Sequence, residues 1–452
     1  MPSEPDPPSF VVLPEEYDEP SPADHGDTGR ARRAGPGWLT GLARHRRARG
    51  AAAALACVVA GGFMAVAVTS ERSAVRTAAP AAQPPAPASS AVAAPGPWPR
   101  APGACGIQRY LPIVTTAPLR ASTGVRIQVG GQSVHTADLD AKSVTAAPGL
   151  QLSSGHFVSQ LAPGNGLSYA LVQGCESTET SSVLRVNTDS SSLVLASDRH
   201  IETLLTDGRN GVVWAVQVAD IATDEPITLV QLPGPGVVRL PVGLSPVAVW
   251  GNQLIALATT AGERRSPSSG TLVRYDLSTR RMGPRIGRAS SLTADAGMLL
   301  WIDQPCSLVA ACAVHSYDLA TGALRVREYT LPVETSLTGG AISPDGARVA
   351  FALERVYEGQ RVDADGFGPP SDVAVLNLDT GALEKVGGVK LPATEKAGLT
   401  FSSRGDWLVI ALNQRHGAEV LVWRQGQTRA LRSGVRIPDQ MLEAPPVLAL
   451  SS

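Results

Sequence analysis

The chain has 452 residues, of which 43% are hydrophobic and 17% charged, and its formal net charge is −1. That length accommodates one large folded domain with additional segments. The balanced charge gives no overall basic character, so we expect no nucleic-acid partner.

The N-terminal segment, residues 1–49, is acidic first and arginine-rich afterwards. Residues 1–29 hold eight acidic residues, many prolines and few large apolar side chains, a composition that predicts a disordered tail. A specific partner for this tail and a solvated tail without one are both compatible with the composition. Residues 30–49 then contain seven arginines.

An uncharged apolar run, residues 50–70, follows the arginines directly. About 20 apolar residues are enough for a helix to cross a bilayer, so the run predicts a single transmembrane signal-anchor helix. The arginines before it place the N-terminus in the cytoplasm and the rest of the chain outside. The alternative is a cleaved signal peptide, because Ala65-Val66-Ala67 has the small-x-small form; the long preceding segment favours an uncleaved anchor. Residues 71–104 are rich in Pro and Ala and predict a semi-extended stalk.

A repeat of 40 to 59 residues organises the remainder, residues 105–452. A glycine that opens a predicted second strand recurs seven times, and a strand-turn-strand segment follows each one, as in VAVLNLDTGALE; the glycines are Gly124, Gly164, Gly208, Gly251, Gly297, Gly346 and Gly405. Two hairpins per unit, with near-continuous apolar second strands such as LVIAL, indicate small sheets covered on both faces by neighbouring copies. The sequence therefore predicts an all-β fold, a seven-bladed β-propeller preceded by one N-terminal transmembrane helix.

The sixth copy carries a resemblance to a known family. Its segments AISPDGARVAF and DVAVLNLDTGALEKV resemble the repeat of TolB-like and WD-repeat-like propellers, although no copy has the Trp-Asp dipeptide or Gly-His pair of true WD repeats. The resemblance implies the propeller fold and a role in binding other proteins. It implies no catalytic residues.

The last residues of the chain predict how the ring closes. The segment VLALSS resembles the strand that precedes the turn in other copies, such as LTFSS before Arg404. We therefore expect residues 446–451 to form the innermost strand of the first blade.

Four cysteines follow the predicted span, namely Cys105, Cys175, Cys306 and Cys312, whereas Cys57 lies within it. An even number in an oxidising compartment favours two disulfides over a metal site, whose Cys-x-x-Cys spacing is absent. Three pairings are possible. Cys306 and Cys312 bracket one predicted turn, so local closure there would leave Cys105 to pair with Cys175.

Candidate catalytic and metal-binding residues are few. His135 and His315 occupy the same position of the repeat, which indicates strand packing, and no nucleophile elbow, metalloprotease helix or phosphate loop is present. We predict no catalytic residues and no cofactor.

One long loop, residues 357–371, is a candidate rim site for protein contact. Asp363, Asp365 and Phe367 are its candidate binding residues. Asp363 and Asp365, with Asp372, also offer oxygens for Ca²⁺, but the glutamate that ends a calcium loop is missing. A plain Asp-Gly turn explains the same residues.

Two functions remain open from the sequence. The first is a single-pass, membrane-anchored extracytoplasmic propeller that binds an envelope protein or cell-wall component as a scaffold. The alternative is a propeller-type lyase or hydrolase with its site at the central channel, where titratable side chains of several blades would converge.

Overall fold

A computed structural model of the protein describes residues 100–102, 108–148, 150, 152, 155–175, 181–187, 190–197, 199–218, 225–259, 269–295, 297–304, 306, 311–331, 335–353, 371–392, 397–438 and 446–450. All of them belong to the unit Ser89–Ser452. The predicted tail, span and most of the stalk lie outside these residues. Within them, no helix has the length and apolar character needed to cross a bilayer.

Four short strands precede the blades. β1 (Arg100–Pro102) and β2 (Gln108–Tyr110) form an antiparallel pair, and β3 (Ile113–Val114) and β4 (Ala117–Pro118) follow. β1 lies inside the stretch predicted to be stalk. Its backbone forms hydrogen bonds with β2, a pairing that the sequence pattern did not reveal.

The strands of blades one to four follow in chain order. The first blade contains β5 (Arg126–Gly130), β6 (Val134–Asp138) and β7 (Ser143–Ala146); the second, β8 (His156–Gly164), β9 (Leu167–Gly174), β10 (Ser182–Val186) and β11 (Ser191–Ala196). The third contains β12 (His200–Thr206), β13 (Val213–Val218), β14 (Thr228–Leu232) and β15 (Val237–Arg239); the fourth, β16 (Leu244–Trp250), β17 (Gln253–Ala258), β18 (Gly270–Asp276) and β19 (Arg281–Ala289).

Blades five to seven complete the ring. The fifth contains β20 (Ser291–Asp295), β21 (Met298–Ile302), β22 (Cys312–Asp318) and β23 (Leu324–Tyr329); the sixth, β24 (Ala341–Ile342), β25 (Arg348–Leu353), β26 (Asp372–Asn377) and β27 (Leu383–Lys385). β28 (Val389–Lys390) follows, and the seventh blade contains β29 (Gly398–Phe401), β30 (Trp407–Gln414), β31 (Gly417–Arg424) and β32 (Leu431–Ile437). The last strand, β33 (Val447–Leu450), joins the first blade. The predicted all-β fold with seven blades is confirmed.

Turn chemistry explains where the strands reverse. In the sixth blade the N–H of Gly346 donates to the carbonyl of Ser343 at 2.8 Å, and Gly346 has φ 67°, a conformation that glycine adopts without steric cost. At the other hairpin of that blade, the Asn377 side-chain oxygen accepts the N–H groups of Asp379 and Thr380, both at 2.9 Å. These side-chain bonds close the turns locally.

The hydrophobic core is divided among the junctions between blades. Each of seven clusters of buried side chains joins two adjacent blades, including the pair formed by the seventh and the first. Second strands have neighbours on both faces: in β30, seven of eight residues are buried. This explains why such strands are almost continuously apolar instead of alternating.

The ends of the described chain close the ring. β33 pairs antiparallel with β5, with Leu448 opposite Val129 and Leu450 opposite Ile127, so the predicted innermost strand of the first blade is confirmed. A second closure was not predicted: β4 pairs in parallel with β32 at the outer edge of the seventh blade, and β3 pairs with β28. The seventh and first blades are thus joined through both chain ends.

The predicted local disulfide of the fifth blade is confirmed. Cys306 and Cys312 are bonded, six residues apart, between β21 and β22. Cys175 also takes part in a disulfide, and its partner lies outside the described residues. The pairing of Cys105 with Cys175 stays a prediction.

A group of hydrogen bonds to one carboxylate stabilises the start of the first blade. The Asp140 carboxylate accepts the Ser122 hydroxyl at 2.5 Å and the N–H groups of Thr123 at 2.7 Å and Gly124 at 2.8 Å. These donors, led by the Ser122 hydroxyl, hold the pKa of Asp140 well below its ordinary value.

We expect removal of residues 446–452 to destabilise the propeller strongly. Ile127 and Val129 are fully buried, and uncovering two such side chains corresponds to about 3 kcal/mol or more. Thermal unfolding of the full-length and shortened chains, followed by circular dichroism near 218 nm, measures the difference. An unchanged midpoint would show that β33 does not hold the ring.

Gly398→Ala provides an independent check of the same closure. A Cβ on Gly398 would overlap the carbonyl oxygen of Pro446, just before β33, and such overpacking typically costs about 1–3 kcal/mol. The substitution should destabilise the complete chain and have little effect once residues 446–452 are absent. Equal effects in both backgrounds would place the clash elsewhere.

For Asp140 we predict a pH-dependent contribution to stability. Its folded-state pKa lies below the unfolded value of about 3.9, so the carboxylate stabilises the fold fully above that pH and loses its effect as the pH falls toward the folded-state pKa. Asp140→Asn should therefore lower the melting temperature at pH 7, and the difference from the parent should shrink below about pH 4. Asp379→Asn is the control, since that side chain is 65% exposed. A difference between Asp140→Asn and the parent that stays constant to pH 3 would contradict the assignment.

Non-reducing peptide mapping should yield one linked peptide containing Cys306 and Cys312 and a second joining Cys105 to Cys175. Cys57 should be alkylated without prior reduction, because the predicted span keeps it apart from the other four. A peptide that links Cys57 to Cys175 would refute both the pairing and the predicted topology.

Candidate functional site

The first candidate is the cavity at the centre of the ring, where the sequence placed the site of the enzyme alternative. It measures about 720 Å³ and is lined by inner strands of several blades, together with neighbouring backbone. Gln160 and Pro163 come from β8, Ala294 and Asp295 from β20, and Leu448 from β33. Blades on opposite sides of the ring therefore share one space.

The chemistry of this cavity is mostly that of backbone, hydroxyl and apolar groups. Among its described lining residues, Asp295 is the one ionisable side chain. The Gln160 amide is engaged between blades: its nitrogen donates to the Leu204 carbonyl at 2.8 Å and its oxygen accepts the Leu204 N–H at 2.7 Å. The described lining thus contains no acid–base pair to carry the enzyme alternative.

The predicted rim loop lies almost entirely outside the described residues, which include only Ser371 at its end. Asp363, Asp365 and Phe367 are among the residues not described, and their role stays a prediction. Asp372 begins β26, its side chain is 5% exposed, and it forms an ion pair with Lys390. That contact gives Asp372 a structural role without Ca²⁺. Within the described chain, no three His, Cys, Asp or Glu side chains are grouped as metal ligands.

The two histidines of the repeat lie in equivalent third strands, as the repeat predicted. His135 is in β6 and is 4% exposed. His315 is in β22, where its ring stacks on Trp301 with centroids 4.9 Å apart and an interplanar angle of 8°. Both positions agree with strand packing.

The second candidate is the outer face of blades four and five, which the sequence analysis did not identify. We call the exposed side chains of β19 and β23 the outer arginine surface. It contains five arginines and one glutamate, a net charge of +4 within a protein whose total is −1; the residues are Arg281, Met282, Arg285, Arg288, Leu324, Arg325, Val326, Arg327 and Glu328. The outer strands of the first two blades, β7 and β11, have no charged residue.

Apolar side chains are exposed on the same two strands. Met282, Leu324 and Val326 are 50%, 46% and 50% exposed. Leu324 pairs with Tyr317, which packs in the cluster between blades four and five, so Leu324 and Val326 share the face turned toward the fourth blade. Met282 pairs with Tyr275, which packs in the cluster between blades three and four, so Met282 is on the face turned toward the third blade.

Most of the arginines on this surface have no hydrogen-bond or ion-pair partner among the described residues. Arg327 donates to the carbonyls of Leu378 at 2.6 Å and Asp379 at 2.7 Å. The side chains of the other four arginines have no hydrogen-bond or ion-pair partner among the described residues. Exposed apolar area surrounded by charge is typical of a surface that contacts another protein.

The outer arginine surface was missed for a physical reason. Its two strands are separated by more than thirty residues of sequence, and neither contains a known motif. A comparison of outer strands, the fourth of each repeat, by charge would have found it, because arginines accumulate in two consecutive copies.

Comparisons with known proteins identify no family for this chain. No protein-family model matches the chain, and no curated protein matches it. Solved propellers that resemble it include TolB from Acinetobacter baumannii, with 15% identity, 77% of this chain and 84% of that chain covered, and a TM-score of 0.40. A chain described as a 6-phosphogluconolactonase from Bacteroides uniformis has 15% identity, coverages of 73% and 100%, and a TM-score of 0.43.

A third similar structure is apo AztD from Citrobacter koseri, with 10% identity, coverages of 72% and 98%, and a TM-score of 0.41. Because all three TM-scores are below 0.5, we take neither residue roles nor an activity from them.

Proposed function

We propose that the protein is a membrane-anchored extracytoplasmic β-propeller that binds a protein partner at the cell envelope and acts as a scaffold. The uncharged run 50–70 after seven arginines supports the anchor and its orientation. The disulfide between Cys306 and Cys312 supports an oxidising compartment.

The outer arginine surface is the observation that carries the binding role. Its three exposed apolar residues are half of the six large hydrophobic side chains that are prominently exposed in the described chain. Arginine combines a charge with a planar group that stacks and donates several hydrogen bonds, which makes it frequent at interfaces. A partner with acidic side chains around an apolar centre complements this surface.

The rim loop 357–371 is a second place where the partner is expected to make contact. It connects β25 to β26, and long loops on a rigid ring are where recognition is commonly located. Ser371 at its end is 3% exposed and pairs with Leu391, so it is kept, and a short Asn-Gly turn in place of residues 357–370 is expected to leave folding intact.

Topology is tested with reporters. A reporter that is active only in the cytoplasm should be silent when fused after Ser452 and active when fused after residue 49. An enzyme that requires an oxidising environment should show the reverse pattern. Cytoplasmic activity after Ser452 would refute the proposed orientation.

Binding is tested by photo-crosslinking in intact cells that express the full-length protein. A photoreactive phenylalanine analogue at Met282, Leu324 or Val326 should give a covalent adduct with a discrete partner. Leu193 and Val237 are matched controls, because they are 61% and 55% exposed on the outer strands of blades two and three. Equal adduct formation at the control positions would mean that the outer arginine surface has no special role.

Charge reversal and loop replacement then separate the two contact regions. Arg281→Glu with Arg325→Glu should reduce the adduct at Val326 at least tenfold, since each opposed charge weakens association. Arg325 is the neighbour of Val326 in β23, and Arg281 pairs with Asp276 on the face of the fourth blade turned toward the fifth.

Replacing 357–370 by Asn-Gly, with Ser371 and its pairing to Leu391 kept, should reduce the same adduct only if the loop also binds. If neither change affects the adduct, the partner does not use these surfaces; if the purified chain turns over a substrate, the scaffold role itself is wrong.

A further inference from the structure

A second cavity, on the rim that carries the turns between first and second strands, is built by blades three, four and five. It measures about 320 Å³. Arg209 reaches it from the β12–β13 turn, Asn252 from the β16–β17 turn, and Arg274 from β18, while residues 319–322 of the β22–β23 turn form the far wall. Three blades therefore converge on one polar space, distinct from the central cavity and from the outer arginine surface.

The position of Arg274 is set by an aromatic ring and a glycine. Its guanidinium carbon lies 5.3 Å from the centroid of the Tyr317 ring, a cation–π distance. Gly322 leaves room beside it, because a Cβ at that position would be 3.0 Å from one terminal nitrogen. The Arg274 Nε is buried and has no hydrogen-bond partner among the described residues, while the residue as a whole is half-buried and lines the cavity.

The carboxylate next to Arg209 accepts hydrogen bonds from groups other than the guanidinium. The Asp207 carboxylate accepts the backbone N–H of Arg209 at 2.9 Å, the side-chain amide of Asn210 at 3.0 Å, and the backbone N–H of Gly251 in the next blade at 2.8 Å. Asp207 thus ties its own turn to the fourth blade. Neither guanidinium has a carboxylate partner among the described residues.

Asp276 is the one described carboxylate that lines the cavity. It accepts the Ser278 hydroxyl at 2.6 Å and the N–H of Thr279 at 2.8 Å within its own turn. Two guanidinium groups and one carboxylate leave the cavity with a charge of +1, which favours an anion.

Trp250 provides the remaining wall. It ends β16, and its ring lies between two turns of adjacent blades, since a Cβ on Gly208 would be 2.5 Å from the ring and one on Gly297 would be 3.0 Å from it. The ring is therefore held in place by backbone on two sides and offers a fixed apolar surface to whatever is attached to the anion.

We propose that this cavity binds the phosphate group of a small phosphorylated compound, with Arg209 and Arg274 as the residues that hold it. A tetrahedral anion presents enough oxygens for two guanidinium groups that approach from different blades, whereas a carboxylate is already matched by one. The volume exceeds what a phosphate needs, given that a water molecule occupies about 30 Å³ of liquid. Trp250, Asn252 and Gln253 line the space left for the rest of the compound.

The test is calorimetric titration of the full-length protein in detergent with inorganic phosphate, glycerol 3-phosphate and succinate, at constant ionic strength set with chloride. We expect phosphate binding, and Arg209→Gln and Arg274→Gln should each weaken it about tenfold or more, the loss expected for a hydrogen bond to a charged group. Arg239→Gln is the matched control, because Arg239 is exposed on the outer strand of the third blade and lines neither the cavity nor the outer arginine surface.

The possible outcomes separate the ligand classes. Binding of both phosphate probes supports a phosphomonoester site, and binding of inorganic phosphate alone supports a site for the free anion. Tighter binding of succinate, or equal phosphate binding by the parent and both arginine variants, would overturn the proposal. Arg209 lies in an exposed turn, so Arg209→Gln decides the question even if Arg274→Gln fails to fold.

Discussion

Every blade of this protein depends on its neighbours to bury the two faces of its sheet. An isolated four-stranded sheet of this size has little core of its own, and here the core consists of seven clusters that lie between blades. The requirement is cyclic, because the seventh blade also needs the first. That requirement accounts for the continuous apolar second strands. It also accounts for the pairing of β33 with the first blade and of β4 with the seventh, and for hydrogen bonds between turns of adjacent blades, such as that from the Gly251 N–H to Asp207.

Much of the fold could be predicted because each copy of the repeat must bury both faces of its sheet and therefore carries the same sequence pattern. Buried second strands such as β30 and turn residues such as Gly346 leave strong local patterns. The closing strand β33 was also predictable, since it resembles the first strands of other copies. The strands β3 and β4 were not, because two residues give no periodicity and their pairing partners lie hundreds of positions away.

The candidate sites were harder to predict than the fold. The histidine positions followed from the repeat, whereas the outer arginine surface and the Arg209–Arg274 cavity are formed by residues far apart in sequence. Repeats conceal such sites, because a side chain that departs from the shared pattern is easily attributed to variation on a solvated turn. What distinguishes Arg274 is a three-dimensional fact, its Nε buried against Tyr317 and Gly322 without an acceptor.

The interlocked termini also have a consequence for biosynthesis. Synthesis proceeds from the N-terminus, so blades two to six receive all of their strands in order, while the first blade lacks its inner strand until β33 has been made. The short strands β3 and β4, among the earliest of the domain, must in turn wait for β28 and β32. A chain that is interrupted before β33 therefore keeps an open seam with exposed strand edges, and such edges are readily recognised by chaperones and proteases. Because β33 follows all seven blades in the chain and yet belongs to the first, the ring becomes closed and protected only after every blade has been made.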